Sequence, residues 1–294
     1  MNERRWTIKG LLQVASDYLK AKNIDSPRLT AEILLSHQLK FDRINLYLNF
    51  DKPLTQDEIS GFRSLVKRRI KREPVQYITG VQEFWSLKFK VNRHVLIPRS
   101  DSEILVEKTV EKIAVFHKQT GLVPRILDLA TGSGALAISI CREIPDAMLW
   151  ATDISAKALD VARHNARLHG VSDRIRFIEG NLWKAVSDMR GFFDIIVTNP
   201  PYIAEEEYQS LQPEVLYWEP VIALNGGKGG MFFIKKIIRH AYHYIKSGGW
   251  LMIEMDPSQT LYAISLMKEN PSYKNISRVK DYTQQYRMVV CQRS

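Results

Sequence analysis

The chain is poor in cysteine. Among its 294 residues only Cys141 and Cys291 carry a thiol. Neither has a partner at CxxC spacing, which argues against a zinc site and against a disulfide framework, and fits a reducing compartment. Long apolar runs are also missing. No stretch approaches the roughly 20 apolar residues of a membrane span. The opening segment "MNERRWTIKG" lacks the apolar core of a signal peptide. A cytoplasmic protein with no membrane partner is expected. Internal repeats and low-complexity segments are absent too. The seven histidines (His37, His94, His117, His164, His169, His240 and His243) show no ligand-like spacing with Asp, Glu or Cys. No metal site is expected.

What is present is ordinary globular material: 45% hydrophobic and 25% charged residues, enough chain for one large domain or two smaller ones. The formal net charge is +10, from 42 Lys+Arg against 32 Asp+Glu. A basic balance favours an acidic partner, either nucleic acid or protein. Residues 1–75 hold 15 Lys+Arg and 9 Asp+Glu, so 15 − 9 = +6 of that charge is N-terminal.

Residues 1–75 read as helical. Ser26-Pro27 offers an N-cap and a first-turn proline, followed by Leu29, Ile33 and Leu34. Thr55-Gln56-Asp57-Glu58 has the capping-box pattern. The helix after it sets Phe62, Leu65, Val66 and Ile70 on one side, with Arg63, Lys67, Arg68, Arg69, Lys71 and Arg72 around the other. Such a run reads either as a solvated face or as a docking surface. Glu73-Pro74 ends it. "FWSLKFKVNRHVLI" (84–97) reads as a hairpin between domains, and Ser100-Asp101-Ser102-Glu103 as a second capping box. Beyond Pro124, strands ("RILDLA", "AMLWATD", "RIRFIEG", "FFDIIVTN", "WLMIEM") alternate with helices, and Ser155 reads as the cap of "AKALDVARHNARL". "SRVKDY" and "RMVVCQ" close the series as a hairpin. This alternation predicts a mostly parallel α/β sheet covered on both faces. The expected division is a helical domain over 1–75, a linker hairpin over 76–98 and an α/β domain over 99–294.

After the first of these strands comes "DLATGSGALAI". Gly132 and Gly134 permit a tight turn, and the next helix turns free N–H groups toward a ligand. Asp153 ends the second strand 153 − 134 = 19 residues after Gly134, where an acid suits the hydroxyls of a ribose. Gly132-Ser133-Gly134-Ala135-Leu136-Ala137 formally satisfies GxGxxG/A, so a dinucleotide site and a plain structural turn both remain open there. Asp128, just before the turn, would repel a pyrophosphate and welcome a cationic amino group.

The fourth strand ends in Asn199-Pro200-Pro201-Tyr202. The prolines have no N–H, so the turn displays carbonyls, and a proline after Asn199 holds that residue extended. The Asn199 side-chain oxygen and the Pro200 carbonyl can together accept both hydrogens of one NH2 group. Tyr202 can stack on the planar group that bears it. Two fixed acceptors hold a delocalised nitrogen with its lone pair toward an electrophile, such as the methyl of a sulfonium, and no strong base is needed first. Tyr202 can also face that sulfonium as a cation–π partner.

These motifs resemble the S-adenosylmethionine-dependent amino-methyltransferases, and the chain as a whole resembles their peptide-chain release factor glutamine methyltransferase branch. "SPRLTAEILL" (26–35) is similar to that family's N-domain helix. "PVQYITGVQEFWSLKFKVNRHVLIPRSDSEILVE" (74–107) is similar to its hairpin and Ile-Pro-Arg segment, "PEVLYWEPVIALNGG" (213–227) to the stretch after the catalytic turn, and "VKDYTQQYRMVV" to its C-terminal hairpin.

The resemblance implies a Rossmann-like class I methyltransferase domain with a seven-stranded sheet and a helical docking domain. The acceptor it implies is the glutamine of the Gly-Gly-Gln motif in class I release factors. The cofactor it implies is S-adenosylmethionine, leaving as S-adenosylhomocysteine. It further implies that Asp128, Ala130, Thr131, Gly132, Ser133, Gly134, Asp153, Ile154, Asn181, Leu182, Trp183, Asn199 and Pro98 form the cofactor site. Asn199, Pro200 and Tyr202 are implied as the catalytic group, with Pro201, Phe84, Trp85 and Arg99 near the substrate. A monomer without a stable nucleic-acid partner is expected.

The chain departs from the family pattern in four places. Ala130 replaces the usual Gly or Cys, a change expected to cost little because alanine is small. Asn181 replaces an Asp, "GGKGGM" replaces Gly-Gly-x-Asp-Gly, and "IEMDPSQ" replaces Glu-Ile-Gly-x-x-Gln. Other readings are a DNA or RNA amino-methyltransferase, a ribosomal-protein glutamine methyltransferase, a catalytically silent scaffold and a nicotinamide oxidoreductase. Against the first, the sequence has neither an inserted target-recognition domain nor an aromatic-basic single-strand platform. The intact Asn199–Tyr202 turn argues against a scaffold, and an oxidoreductase leaves that turn unexplained.

Overall fold

The computed structural model describes residues 6–294, and for 116–120 the backbone only. Residues 1–5 and the side chain of His117 therefore lie outside the described residues. Two compact units emerge: one reaches to Val81 and includes Gln212–Trp218, and the other comprises Gln82–Leu211 and Glu219–Ser294. The first unit thus takes in a segment from the middle of the region that a linear reading gives to the α/β domain.

The first unit is helical. It contains α1 (Ile8–Ala21), α2 (Pro27–Leu39), α3 (Arg43–Leu48), α4 (Gln56–Ile70) and α5 (Val75–Thr79). Ile8, Leu12, Leu19, Leu34, Leu35, Leu46 and Phe62 fill its core. At α4 the expected capping box forms: Glu58 N–H donates to Thr55 Oγ1 at 3.2 Å, and Thr55 N–H to Glu58 Oε2 at 2.7 Å. At α2 the expected cap does not form. Ser26 sits in the left-handed region (φ 45°) and its side chain makes no capping bond, so Pro27 alone sets the start. Leu29 is exposed, and α2 packs through Ala31, Leu34 and Leu35 instead.

β1 (Val81–Phe84) and β2 (Leu87–Lys90) form a hairpin shorter than the expected 84–97, all of it but Val81 in the second unit. Trp85 and Ser86 turn it with φ of 51° and 57°, the left-handed pair that a two-residue hairpin needs. The expected capping box at Ser100 is absent. Ser100–Ser102 is a single 3-10 turn without a side-chain cap, and Glu103 instead accepts from Trp85 N–H at 2.8 Å. Helix α6 (Glu103–Thr120) follows.

The main sheet is built from β3 (Arg125–Leu129), β4 (Met148–Asp153), β5 (Ile175–Glu179), β6 (Phe193–Thr198), β7 (Ile245–Glu254), β8 (Tyr273–Lys280) and β9 (Tyr286–Arg293). Their order is β5-β4-β3-β6-β7-β9-β8, parallel up to β7, with β9 antiparallel to both β7 and β8. Successive residues pack on opposite faces. Ile126, Ile195 and Val197 enter one core with Ile138, while Leu127, Leu129 and Ile196 enter the other with Ile234 and Ile237. The covering helices are α7 (Ala135–Glu143), α8 (Ala156–Leu168), α11 (Phe232–His240) and α12 (Thr260–Lys268). Short helices α9 (Pro213–Trp218) and α10 (Val221–Leu224) precede α11. Ser155 caps α8 as its sequence predicts, accepting from Ala158 N–H at 3.2 Å.

Register decides where the site lies. Leu129 is paired with Thr152 on one side and Thr198 on the other. Ala130, Asp153 and Asn199 therefore leave the sheet at one edge, in three adjacent loops.

Candidate active site

At that edge lies a cavity of about 340 Å³ in the second unit. Its floor is the turn after β3. Ala130 adopts φ 63°, a region where an L-residue costs roughly 1–2 kcal/mol and glycine costs nothing. Alanine is small enough for the space, but the expectation of little cost overlooked this backbone strain.

Asp153 lines the cavity with both carboxylate oxygens already engaged. Oδ2 accepts from Gly132 N–H and Oδ1 from Ser155 N–H, each at 2.9 Å. Burial raises its pKa, and those N–H groups pull it back. Each oxygen keeps a lone pair for a ligand hydroxyl.

Asp128 does not line the cavity. It is fully buried beneath the turn, where Oδ2 accepts from Thr131 Oγ1 at 2.6 Å and from Ala137 N–H at 3.2 Å. Burial pushes its carboxyl up to about 7, offset in part by those donors. The expectation that Asp128 meets a cationic amino group is corrected: it braces the turn from inside. Asn165, which no motif flagged, braces the turn from outside. Its Nδ2 donates to Ser133 O at 2.9 Å and Lys90 O at 3.0 Å, and its Oδ1 accepts from Lys90 N–H at 2.8 Å.

The Asn199–Tyr202 turn forms another wall. Asn199 Nδ2 donates to Ser102 Oγ at 3.0 Å, which leaves Oδ1 as the available acceptor. Asn199 and Pro201 line the cavity; Pro200 is buried and is not among the lining residues. The Tyr202 hydroxyl donates to Glu254 Oε1 at 3.3 Å, and burial raises its pKa. Tyr202 is not among the cavity-lining residues.

The loop 226–231 wraps this turn. A Cβ at Gly226 would stand 2.7 Å from Tyr202 Cα, and one at Gly230 (φ 69°) would collide with the Tyr202 carbonyl. Gln259 Nε2 donates to that same carbonyl at 2.7 Å. The glycines and the glutamine of the two variant motifs thus hold the backbone of Tyr202.

Of the other expected residues, Phe84, Pro98, Thr131, Gly132, Ser133, Ile154, Asn181 and Leu182 line the cavity. Gly134 does not. A Cβ there would lie 3.1 Å from Ala162 Cβ, so its role is close helix packing. Three more stand apart. Trp85 donates to Glu143 Oε1 at 2.7 Å, Trp183 stacks on Tyr244 with centroids 4.6 Å apart, and Arg99 pairs with the buried Glu219. Residues the sequence did not flag also line the cavity, among them Ser102, Ile222, Phe232, Phe233 and Lys236. Ser102 and Ile222 lie in segments similar to the family's, but no residue pattern marked any of the five as a site residue. Among the described residues no group of three His, Cys, Asp or Glu side chains is placed to hold a metal, and no helix is long and apolar enough to cross a membrane.

Two family profiles match the chain: PrmC N-terminal domain over residues 10–80 and methyltransferase small domain over 102–216. A release factor glutamine methyltransferase of Geobacter sulfurreducens is 42% identical over 86% of this chain and 86% of its own length. One of Chlorobaculum tepidum is 38% identical over 98% of both. Among solved structures, the hMettl16 catalytic domain in complex with MAT2A 3'UTR hairpin 6 superposes with a TM-score of 0.56. At 15% identity over 71% of this chain and 76% of that one, it shares the fold alone.

Proposed function

The chain belongs to the release factor glutamine methyltransferases, and on that premise we propose that it transfers a methyl group from S-adenosylmethionine to the side-chain amide nitrogen of the glutamine in the Gly-Gly-Gln motif of class I release factors. The observation that carries this reading is the Asn199 amide. Its Nδ2 is tied to Ser102, and it lines the same cavity as Asp153 and the glycine turn.

The residues present fit the cofactor. Asp153 offers two lone pairs suited to ribose hydroxyls, Ile154 and Leu182 supply apolar walls for a planar base, and Asn181 stands beside them with an amide oxygen able to accept from an adenine amine. S-adenosylmethionine supplies an electrophilic methyl on a sulfonium.

The protein's part is positioning. Asn199 Oδ1 and the Pro200 carbonyl accept the two hydrogens of the glutamine amide, hold the nitrogen in line and favour a pyramidal geometry. Ile222 and Phe232 add apolar lining to the cavity, which disfavours water there. Bound S-adenosylmethionine would supply the methyl group, and the methylated amide would lose one proton to solvent. Its two acceptors stabilise the positive charge that develops on nitrogen meanwhile. The reading includes a cytoplasmic monomer with a protein partner, without membrane or stable nucleic-acid association.

The test offers purified protein and methyl-labelled cofactor a class I release factor, tRNA, rRNA and DNA in parallel. Label on the release factor, lost when its Gly-Gly-Gln glutamine is replaced, is the expected result. Label on nucleic acid instead would overturn the substrate assignment.

A further inference from the structure

Two stretches of the second unit, far apart in the chain, wall the cavity outside the loops that follow β3, β4 and β5. Leu96 and Pro98 belong to one, Ile222 and Ala223 to the other. The second stretch flanks the Asn199–Tyr202 turn: Ile203 N–H donates to Leu224 O at 3.0 Å, and Gly226 N–H to Ile203 O at 2.8 Å. It therefore stands on the side where the acceptor amide meets Asn199, away from the loops of Asp153 and Asn181 that suit ribose and base.

One side chain ties the two walls together. Glu219, just before α10, is 5% exposed. Its Oε2 accepts from Ile97 N–H at 3.2 Å, across 122 positions of the chain, and its Oε1 pairs with the Arg99 guanidinium. Both oxygens of this buried carboxyl group thus have partners, as burial requires. Those partners are the residues on either side of Pro98. Pro98 has no N–H with which to anchor itself. Its place in the wall depends on its neighbours, and one carboxyl group holds both.

We propose that Glu219 is a positioning residue: from the segment beside the catalytic turn it grips both neighbours of Pro98, and so sets how far apart the Pro98 and Ile222 walls stand where the acceptor glutamine enters. The inference rests on the methyl-transfer reading above and adds to it a residue that touches neither reactant.

Glutamine at this position is the matching probe. It has one oxygen and one NH2, so it can accept from Ile97 or from Arg99 while its NH2 repels the other donor. The Arg99 side chain is 39% exposed, so its freed charge reaches water and the fold survives the change.

The experiment compares full-chain wild type, Glu219→Gln, Arg99→Ala and the double variant. It measures kcat, KM for the release factor, cofactor Kd, melting temperature and amide hydrogen exchange at Ile97. In Glu219→Gln the KM should rise at least about tenfold, because a loosened wall must be ordered on binding. Its kcat, cofactor Kd and melting temperature should stay near wild type. The Ile97 amide should exchange faster while the β3 amides do not change. Arg99→Ala keeps the Ile97 bond, so it should raise KM less. Glu219→Gln should cost less in that background, because part of the grip is already gone. Unchanged KM in either single variant, additive effects, or a cofactor Kd that rises in step with KM would each overturn the proposal. If Glu219→Gln melts early, the KM of Arg99→Ala decides the matter alone. A wild-type protein that leaves the release factor unmethylated would instead overturn the reading beneath, and exchange at Ile97 would still report the grip.

Discussion

Arg69 and Glu214 lie 145 residues apart in the chain, yet Arg69 Nη1 and Glu214 Oε1 are 2.8 Å apart in space. Both side chains are mostly buried, and Arg72 reaches the same carboxylate at 3.4 Å. This cluster brings Gln212–Trp218 into the helical unit. Arg69 is therefore a structural arginine, and a contiguous docking face that includes it is excluded. Arg68 is likewise engaged by Glu73, while Arg63, Lys67 and Lys71 remain exposed.

Arg69→Ala leaves a buried carboxylate with one weaker partner. Chemical denaturation should show a loss of about 3 kcal/mol, the usual cost of breaking a buried pair. Glu at Arg63, Lys67 and Lys71 together should leave stability nearly unchanged. If the exposed basic face meets the protein substrate, that variant raises KM several-fold and the increase shrinks at high salt.

Asn199→Ala removes one of two acceptors at the reacting nitrogen. The expected loss in kcat is about 100-fold or more, by analogy with removing one preorganised group from a transition-state site. Cofactor affinity, measured by calorimetry, should change by less than about threefold, because the glycine turn and Asp153 are untouched.

Asp128 has a folded pKa of about 7, above its ordinary 3.8. A raised pKa means that the folded state binds the proton more tightly than the unfolded state. The stabilising effect is full below about 4 and is lost as pH rises toward 7. Glu254, raised from 4.5 to about 7, acts in the same direction over nearly the same range. Asp128→Asn keeps the hydrogen-bond acceptor without the titration. Its unfolding free energy should fall less than that of wild type between pH 4 and 7, by a few kcal/mol. Melting curves across that range check it.

Gly230→Ala drives a Cβ into the Tyr202 carbonyl at a positive φ. Tyr202 must shift or the loop must open. A stability loss of about 2–4 kcal/mol is expected together with loss of methyl transfer. Gly229→Ala meets no atom within 4 Å and carries only the strain of its φ of 58°. It should cost about 1 kcal/mol and keep most activity.

The strands were legible because short apolar runs bounded by turn residues are local signals, and their alternation with helices implies parallel order. The Thr55 and Ser155 caps were legible for the same reason. The Ser100 pattern misled because Ser100 lies inside a 3-10 turn whose N-cap is Arg99, so it does not occupy the cap position. Ser26 misled because its backbone lies outside the extended region from which a side chain can cap.

By itself, the sequence determined the Asn199–Tyr202 turn, the glycine turn after β3, the acid that ends β4 and their common sheet edge. These are short-range patterns joined by a rule of parallel sheets. Tertiary structure alone decided which side chains face the cavity and which brace it. Asp128 went under the turn and Trp183 onto Tyr244, while Ser102 arrived from 97 positions away to hold Asn199. Periodicity shows that a residue is inside. The partner it finds there depends on packing between segments distant in the chain, and no local pattern records that.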